Sequence, residues 1–490
     1  MSILKKSLLA IAIVIVIAGL LALRACDQVP ASLGDSVAAQ PMPTIEQPVH
    51  PFLNEPQRSS MHGGSYNRDI NSFPGPLGNN TRAAHRAFSS LVGVAPNIAF
   101  DNEGRLVTVS IKLNGIELQL LDPDTLETLA MLELPAKASF DDNSGGGYFH
   151  LDAQGRALLA PSDNSIKIYE VVETGAGLQW QVAESYDLGE VLPAGVNVHD
   201  VIPDWQGNLW FVTGGNMLGY RDSQSGKFYT YQLPEAGETI QNSFAVDEEG
   251  LYVASTDALY QFKIDPVSHL PYYTWREDYD NGAVQKPGTL SHGSGTSPTL
   301  IGDDLVAIAD DGDPFTNIVV YRRGEDVEGE RLVCKVPLFE AGKSATENSL
   351  MVYGNAMVVQ NDYGHVYEGN ALETSPGITR ADVRADRSGC DVKWYNADFL
   401  SQSLPRLSTA TGLLYFYTFK KQAADDLFGG WYLTAVNWET GQEIWSRLIG
   451  AGTGTIIDPL SSVTAPVVLG PNGAAYVGIR TGVVMAKDES

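Results

Sequence analysis

Polar side chains able to bind or activate a small molecule recur along this chain at similar intervals. They are His150, His199 with Asp200, Gln241 with Asn242, His292 with Thr296, Glu347 with Asn348, and Arg406. An imidazole changes charge near neutral pH, which makes His199 and His292 the candidate catalytic bases. Asp200, Asn242, Glu347 and Asn348 present hard oxygens of the kind calcium takes, and they form the candidate metal set. His150, Asp200, Asn242, Thr296, Asn348 and Arg406 are the candidate ligand-binding residues, a mixture of donors, acceptors and one cation that would orient a polar molecule. The pair Asn-Ser occurs at Asn242-Ser243 and again at Asn348-Ser349. Such scattered residues act together only if the fold gathers them. The competing role for each is to cap strand backbone and bind water.

The elements that would gather them repeat. Eight segments share an apolar run, a Gly/Asp/Asn turn and a second apolar run, from "NIAFDNEGRLVTVS" to "PVVLGPNGAAYVGI". Their turn glycines are Gly104, Gly155, Gly207, Gly250, Gly302, Gly354, Gly412 and Gly473, at steps of 51, 52, 43, 52, 52, 58 and 61 residues. A second hairpin follows in most units. Four short strands in about 50 residues is the size of a propeller blade. The expectation is an all-β, eight-bladed β-propeller, with seven blades as the alternative because the last two steps are long. No helical hydrophobic period appears after Asn97, which argues against an α/β fold. The last unit is one strand short, so an N-terminal strand near Ala84–Gly93 is expected to close the ring and remove its open edges. In such a ring each innermost strand begins beside the axis. The polar residues named above lie just before those strands and are expected to meet at one mouth.

The stretch Leu433–Trp445, "LTAVNWETGQEIW", resembles the repeat A-x-D-x-x-T-G-x-x-x-W of the quinoprotein-like (PQQ-like) propeller superfamily. Ala435, Thr440, Gly441 and Trp445 match, and Asn437 stands in for the Asp. The resemblance implies a propeller in which Trp445 wedges between blades. It does not imply an activity, because that superfamily includes quinone-dependent alcohol dehydrogenases and a non-enzymatic outer-membrane assembly lipoprotein. A quinone enzyme of that kind is expected to hold PQQ under two adjacent cysteines, which this chain lacks, so PQQ is disfavoured. The oxygen set is similar in kind to that of gluconolactonase-like and paraoxonase-like propellers, which have six blades. Three functions therefore compete. Binding or scaffolding at the axial mouth leads, a calcium-dependent hydrolase or lactonase is second, and a quinone-dependent oxidoreductase is third.

With 32 basic against 59 acidic residues and a net charge of −27, the chain is a poor partner for nucleic acid. Lys5 and Lys6 precede the apolar run Leu8–Leu23, so residues 1–26 read as a signal peptide or membrane anchor. The "LRAC" ending at Cys26 resembles a bacterial lipoprotein box and implies lipid on Cys26; a signal anchor is the other reading. Both put the body outside the cytoplasm, in a periplasm-like compartment, tethered to a membrane, with an envelope protein or small molecule as partner. Residues 27–57 are Pro-rich and read as a tether. Residues 58–84, with His62, Tyr66, Asn67 and Asp69, read as a segment wrapping one face, with a lid over that face or a lining of the site as the alternative, and 85–490 as the propeller. Cys334 and Cys390 are expected to form a disulfide, since no C-x-x-C suggests a metal or redox site. The "DDGD" at Asp310–Asp313 reads as a solvated turn.

Overall fold

A computed structural model describes residues 29–46, 48–59, 62–88, 93–112, 115–137, 145–193, 195–365, 374–401, 403–423, 426–455, 458–462 and 465–489. Within them the only helical element is the 3-10 turn Pro56–Arg58, and all other regular structure is strand. The strands form eight sheets in chain order, as the glycine spacing predicts, and their pairing is antiparallel except where Ile70–Asn71 runs parallel to Arg406–Ser408 in blade 7. The innermost strands are Ile98–Phe100, His150–Leu151, Val198–Pro203, Ala245–Val246, Thr299–Ile301, Met351–Tyr353, Arg406–Ser408 and Val467–Leu469, which define blades 1 to 8. Blade 8 takes its outermost strand from the N-terminal side. Thr81–Ala87 pairs antiparallel with Gly482–Asp488, Thr81 opposite Asp488 and Ala87 opposite Gly482. The closing strand thus begins before Ala84, and it crosses the boundary at residue 85 expected from sequence.

Eight buried apolar clusters account for the ring, one at each junction between neighbouring blades. Blade 8 meets blade 1 through Val468, Tyr476 and Met485 against Ile98, Phe100 and Leu106. Each sheet is therefore covered on both faces, which is why strands such as Leu305–Ala309 are buried at every position rather than alternating. Trp445 is fully buried in the cluster shared by blades 7 and 8, the wedge that its motif implied. The hairpin turns follow from local chemistry. Asp101 Oδ1 accepts the N–H groups of Glu103 and Arg105, and Asp152 and Asp204 do the same in the next two blades. Gly104, Gly155 and Gly207 follow at φ near +80°, a conformation that disfavours any side chain.

The segment before the closing strand departs from expectation. Its described part does not hang free as a tether. Ser32–Gly34 adds a strand to the outer edge of blade 7, opposite Arg447 to Trp445. The amides of Gln40 and Met42 then bond the carbonyls of Thr411 and Thr409. Residues 62–71 are not a passive surface wrap: they are buried on the axis at one face, which is the lid or lining role also open to that segment. The described residues from His50 to Asn71 form a collar inside the ring and touch all eight blades at or beside their innermost strands. Backbone amides of Val246, Leu300, Val352 and Leu407 donate to the carbonyls of Ser65, Tyr66, Arg68 and Asp69, serving blades 4 to 7. Asn54 takes blade 2 through Leu151 O and blade 1 through Phe100 O. Asn71 Nδ2 donates to Leu469 O in blade 8. Blade 3 is met by packing: Leu53 lies in the cluster of Ile202 and Trp210, and the His50 ring sits tilted 4.0 Å from Trp205, accepts the Phe52 amide at Nδ1, and is kept neutral by burial, which lowers its pKa to about 3. Polar residues dominate the collar because its task is to meet strand-end backbone groups.

The collar closes one face, that of the Asp-Gly turns. The opposite face, called the loop face below, carries the connections that enter each innermost strand. The expected disulfide is present: Cys334 in the outermost strand of blade 5 is bonded to Cys390 in that of blade 6, 56 residues apart. Loop closure over that separation is worth about 4 kcal/mol. The double variant Cys334→Ser/Cys390→Ser is expected to lose most of this in non-reducing denaturant titration, and an unchanged midpoint would contradict it.

Candidate functional site

The innermost strands bring one group of polar side chains together across the axis. His150, at the start of the inner strand of blade 2, donates through Nε2 to Asp200 Oδ1 of blade 3 at 2.9 Å. Ser243, before blade 4, donates to the other Asp200 oxygen. Burial alone would raise the Asp200 pKa, but His150, Ser243 and the Val201 amide together hold it below the usual carboxylate value. Tyr148 lies beside these groups, its ring 6.3 Å from that of His62, and burial raises its pKa and keeps it protonated. Ser297 Oγ lies 3.3 Å from His62 Nε2, and His62 Nδ1 lies 3.3 Å from Asp69 Oδ2. Asp69 Oδ1 pairs with Arg406 Nη1 at 3.2 Å, and Arg406 Nε donates to Val467 O in blade 8. This chain of contacts runs from blade 2 through the collar to blade 8.

Ser297, His62 and Asp69 stand in the order of a Ser-His-Asp relay. Their burial decides what they do: Ser297 is 2% exposed, His62 4% and Asp69 1%. A substrate carbonyl reaches Ser297 Oγ only if the collar moves. Backbone strain supports the same reading, since His62, Asn67 and Asp69 all hold positive φ, at 70°, 55° and 54°. The relay pins the collar to the axis.

A second group lies on the loop face between blades 4 and 6, beneath the long connection from Tyr279 to Ser297. Lys286 of that loop pairs with Asp311 Oδ1 at 3.3 Å and donates to Gly312 O and Thr316 Oγ1. The Leu290 amide donates to Glu347 Oε1 at 2.8 Å, and a Cβ at Gly295 would lie 2.6 Å from the Glu347 carboxyl carbon. Asp362 accepts from the Glu347 amide, Asn348 Nδ2, Thr346 Oγ1 and Gln360 Nε2. Burial raises all three carboxyls. Asp362 and Asp311 rise to about 6, the second against the opposing charge of Lys286, and Glu347 rises well above its ordinary value with Asp362 and Asp311 adding repulsion. Asp310 and Asp311 are both 2% exposed, so the first half of the "DDGD" is a buried anchor and not a solvated turn, while Asp313 is exposed.

The expected site residues divide between these groups. His150, Asp200 and Arg406 belong to the axial network. Glu347 and Asn348 belong to the loop-face group. Asn242 Nδ2 bonds Ser294 O, and Thr296 Oγ1 accepts the Ala309 amide, so both hold the Tyr279–Ser297 loop. His292 Nε2 bonds Gly282 O within that loop, and His199 packs on Gly214. The candidate calcium set is divided: Asp200 accepts from His150 and Ser243 in the axial network, Glu347 accepts the Leu290 amide on the loop face, Asn242 donates to Ser294 O, and Asn348 Oδ1 has no hydrogen-bond partner among the described residues. Among the described residues no group of three His, Cys, Asp or Glu side chains is placed to hold a metal. Cys26 lies outside the described residues. Sequence reasoning passed over Tyr148 and Ser297. Ser297 had a signal, because Ser243, Ser297 and Ser349 all stand two residues before the first residue of an innermost strand.

Two outcomes follow from this electrostatics. Asp69→Ala leaves Arg406 charged and buried, and is expected to cost about 3–5 kcal/mol in denaturant titration, while a loss under 1 kcal/mol would contradict the pairing. The Asp362 carboxyl, raised above its unfolded value, contributes stability that is full below about pH 4 and is lost as pH rises through about 6. Asp362→Asn is neutral throughout. Its stability relative to the native chain is expected to improve by on the order of 3 kcal/mol between pH 4 and 7.5. A pH-independent difference would contradict the burial argument.

No protein-family model matches the chain. An uncharacterized protein of Archaeoglobus fulgidus is 27% identical over 361 residues, covering 67% of this chain and 68% of that protein. Among solved structures, BamB from Moraxella catarrhalis aligns at 13% identity and a TM-score of 0.46, covering 84% of this chain and 98% of its own. Sqt1 from Saccharomyces cerevisiae aligns at 10% identity and 0.49, over 84% of this chain and 99% of its own. A virginiamycin B lyase from Staphylococcus aureus aligns at 13% identity and 0.39, over 69% and 95%.

Proposed function

We propose that this chain is an extracytoplasmic, membrane-tethered propeller that works as a binding module, taking a small polar ligand at the axial mouth of its loop face. The observation that carries this reading is the collar. It occupies the other mouth with its own backbone, so the axis is approached from the loop face. Polar atoms there have capacity left: His150 Nδ1, Asn348 Oδ1 and Gln360 Oε1 are buried and lack a hydrogen-bond partner among the described residues. Buried polar groups are almost always paired, and a ligand with both donors and acceptors would pair these. The Cys334–Cys390 disulfide supports an oxidising compartment, and the apolar run Leu8–Leu23 supports a tether.

Catalysis takes second place because the Ser297 relay is buried and the calcium set is divided between the axial network and the loop-face group. The test is a thermal-shift panel of amino acids, sugars, carboxylates and calcium on the full chain. A ligand that raises Tm is expected to lose at least ten-fold in affinity in His150→Ala and in Asn348→Ala, and to keep it in Asp124→Ala, on the collar-side turn of blade 1. Retention in both mouth variants would overturn the reading. Calcium-dependent lactone turnover that disappears in His292→Ala would replace it with the hydrolase.

A further inference from the structure

One corner of the loop face combines four features that no part of the axial site explains. An open cavity of about 270 Å³ lies at blade 7 between the hairpin turn Lys420–Gly429 and the first described residues of the chain. Val29, Pro30, Leu33, Leu427, Phe428 and Tyr432 supply its apolar lining, and the Tyr432 hydroxyl holds the first described residues by donating to Pro30 O at 2.9 Å. Leu427 is 73% exposed at the cavity rim. Lys420 and Lys421 stand beside it, adjacent lysines in a strongly acidic chain; Lys420 is held by Glu443, while Lys421 faces the cavity together with Asp426.

The fourth feature is where the chain enters. The apolar run ends at Leu23, six residues before Val29. An extended backbone spans at most about 3.5 Å per residue, so this corner stays within about 20 Å of the end of any inserted run. The rest of the described N-terminal segment cannot add reach, because it is paired to the outer edge of blade 7 and then enters the collar. A single exposed leucine is ordinary on a soluble surface. An exposed leucine and a part-buried phenylalanine on one turn, flanked by lysine beside a cavity and held near a bilayer, match the pattern of interfacial insertion, with apolar side chains below the headgroups and ammonium groups among them.

We propose that this corner is a membrane-contact surface: Leu427 and Phe428 enter the phospholipid interface, the cavity takes lipid glycerol and acyl atoms, and Lys421 reaches headgroup phosphate. The proposal rests on the tether reading above. It fixes the propeller's orientation, with blade 7 against the bilayer.

The full chain, reconstituted into phosphatidylcholine vesicles with one part phosphatidylglycerol in four, tests it. A diazirine side chain is incorporated at position 427 or, as control, at position 267, where Val267 is 87% exposed on the collar-side turn of blade 4. After flotation and illumination, phospholipid adducts are counted by mass spectrometry. At least ten-fold more adduct at 427 than at 267 is expected, with a several-fold drop when Lys421→Glu is added. Floating protein with equal or no adduct at the two positions overturns the contact surface and leaves the tether standing. Protein that fails to float removes the tether, and the contact surface with it.

Discussion

The carbonyl groups of one short N-terminal segment hold the ends of the innermost strands, and the rest of this structure depends on that arrangement. An innermost strand has a partner on one side only; its other edge faces the axis. Ser65, Tyr66, Arg68 and Asp69 meet that edge in four successive blades; the Asn54 amide and side chain meet blades 2 and 1, the Asn71 side chain meets blade 8, and Leu53 packs on blade 3. A propeller is otherwise a ring of units that touch only their neighbours. Here one segment touches every unit, so loss of any blade disturbs all of them. Charge reinforces the grip through the buried Asp69–Arg406 pair, whose desolvation cost is offset only while both partners are present.

The same arrangement gives the two faces different work. The Asp-Gly turns and the collar make one face a structural floor. The opposite face carries the long connections, among them the Tyr279–Ser297 loop, whose glycines at 288 and 295 let its backbone lie directly on Asp362 and Glu347. Loops on a rigid scaffold are where binding sites form. Three carboxyls beneath one loop are raised by burial, so this part of the face favours their protonated forms.

Much of this was legible in the sequence, for physical reasons. Turn glycines such as Gly104 and Gly155 are spaced by the blade itself, and Trp445 carried the inter-blade wedge, so the ring could be counted before any coordinates existed. Polar residues before innermost strands were legible as a class, because topology alone delivers them near the axis. Their partners were not. Whether Asp200 meets a metal or His150 depends on side-chain directions across blades, which spacing does not encode. The collar was the larger surprise. Its Gly, Asn and Pro content reads as loop, and nothing local distinguishes a loop on the surface from one whose carbonyls are consumed by strands more than a hundred residues away. Only the strained cluster at His62, Asn67 and Asp69 marks it, and positive φ is invisible in sequence except at glycine.

Amide hydrogen exchange at Val246, Leu300, Val352 and Leu407 in the full chain is the most direct measure of this account. If the collar holds the ring from inside, these four amides are protected as strongly as those in the middle of their sheets and open only with global unfolding. Exchange at loop-like rates, with the sheets themselves still protected, would show that the axis is not occupied by the collar and would contradict the account.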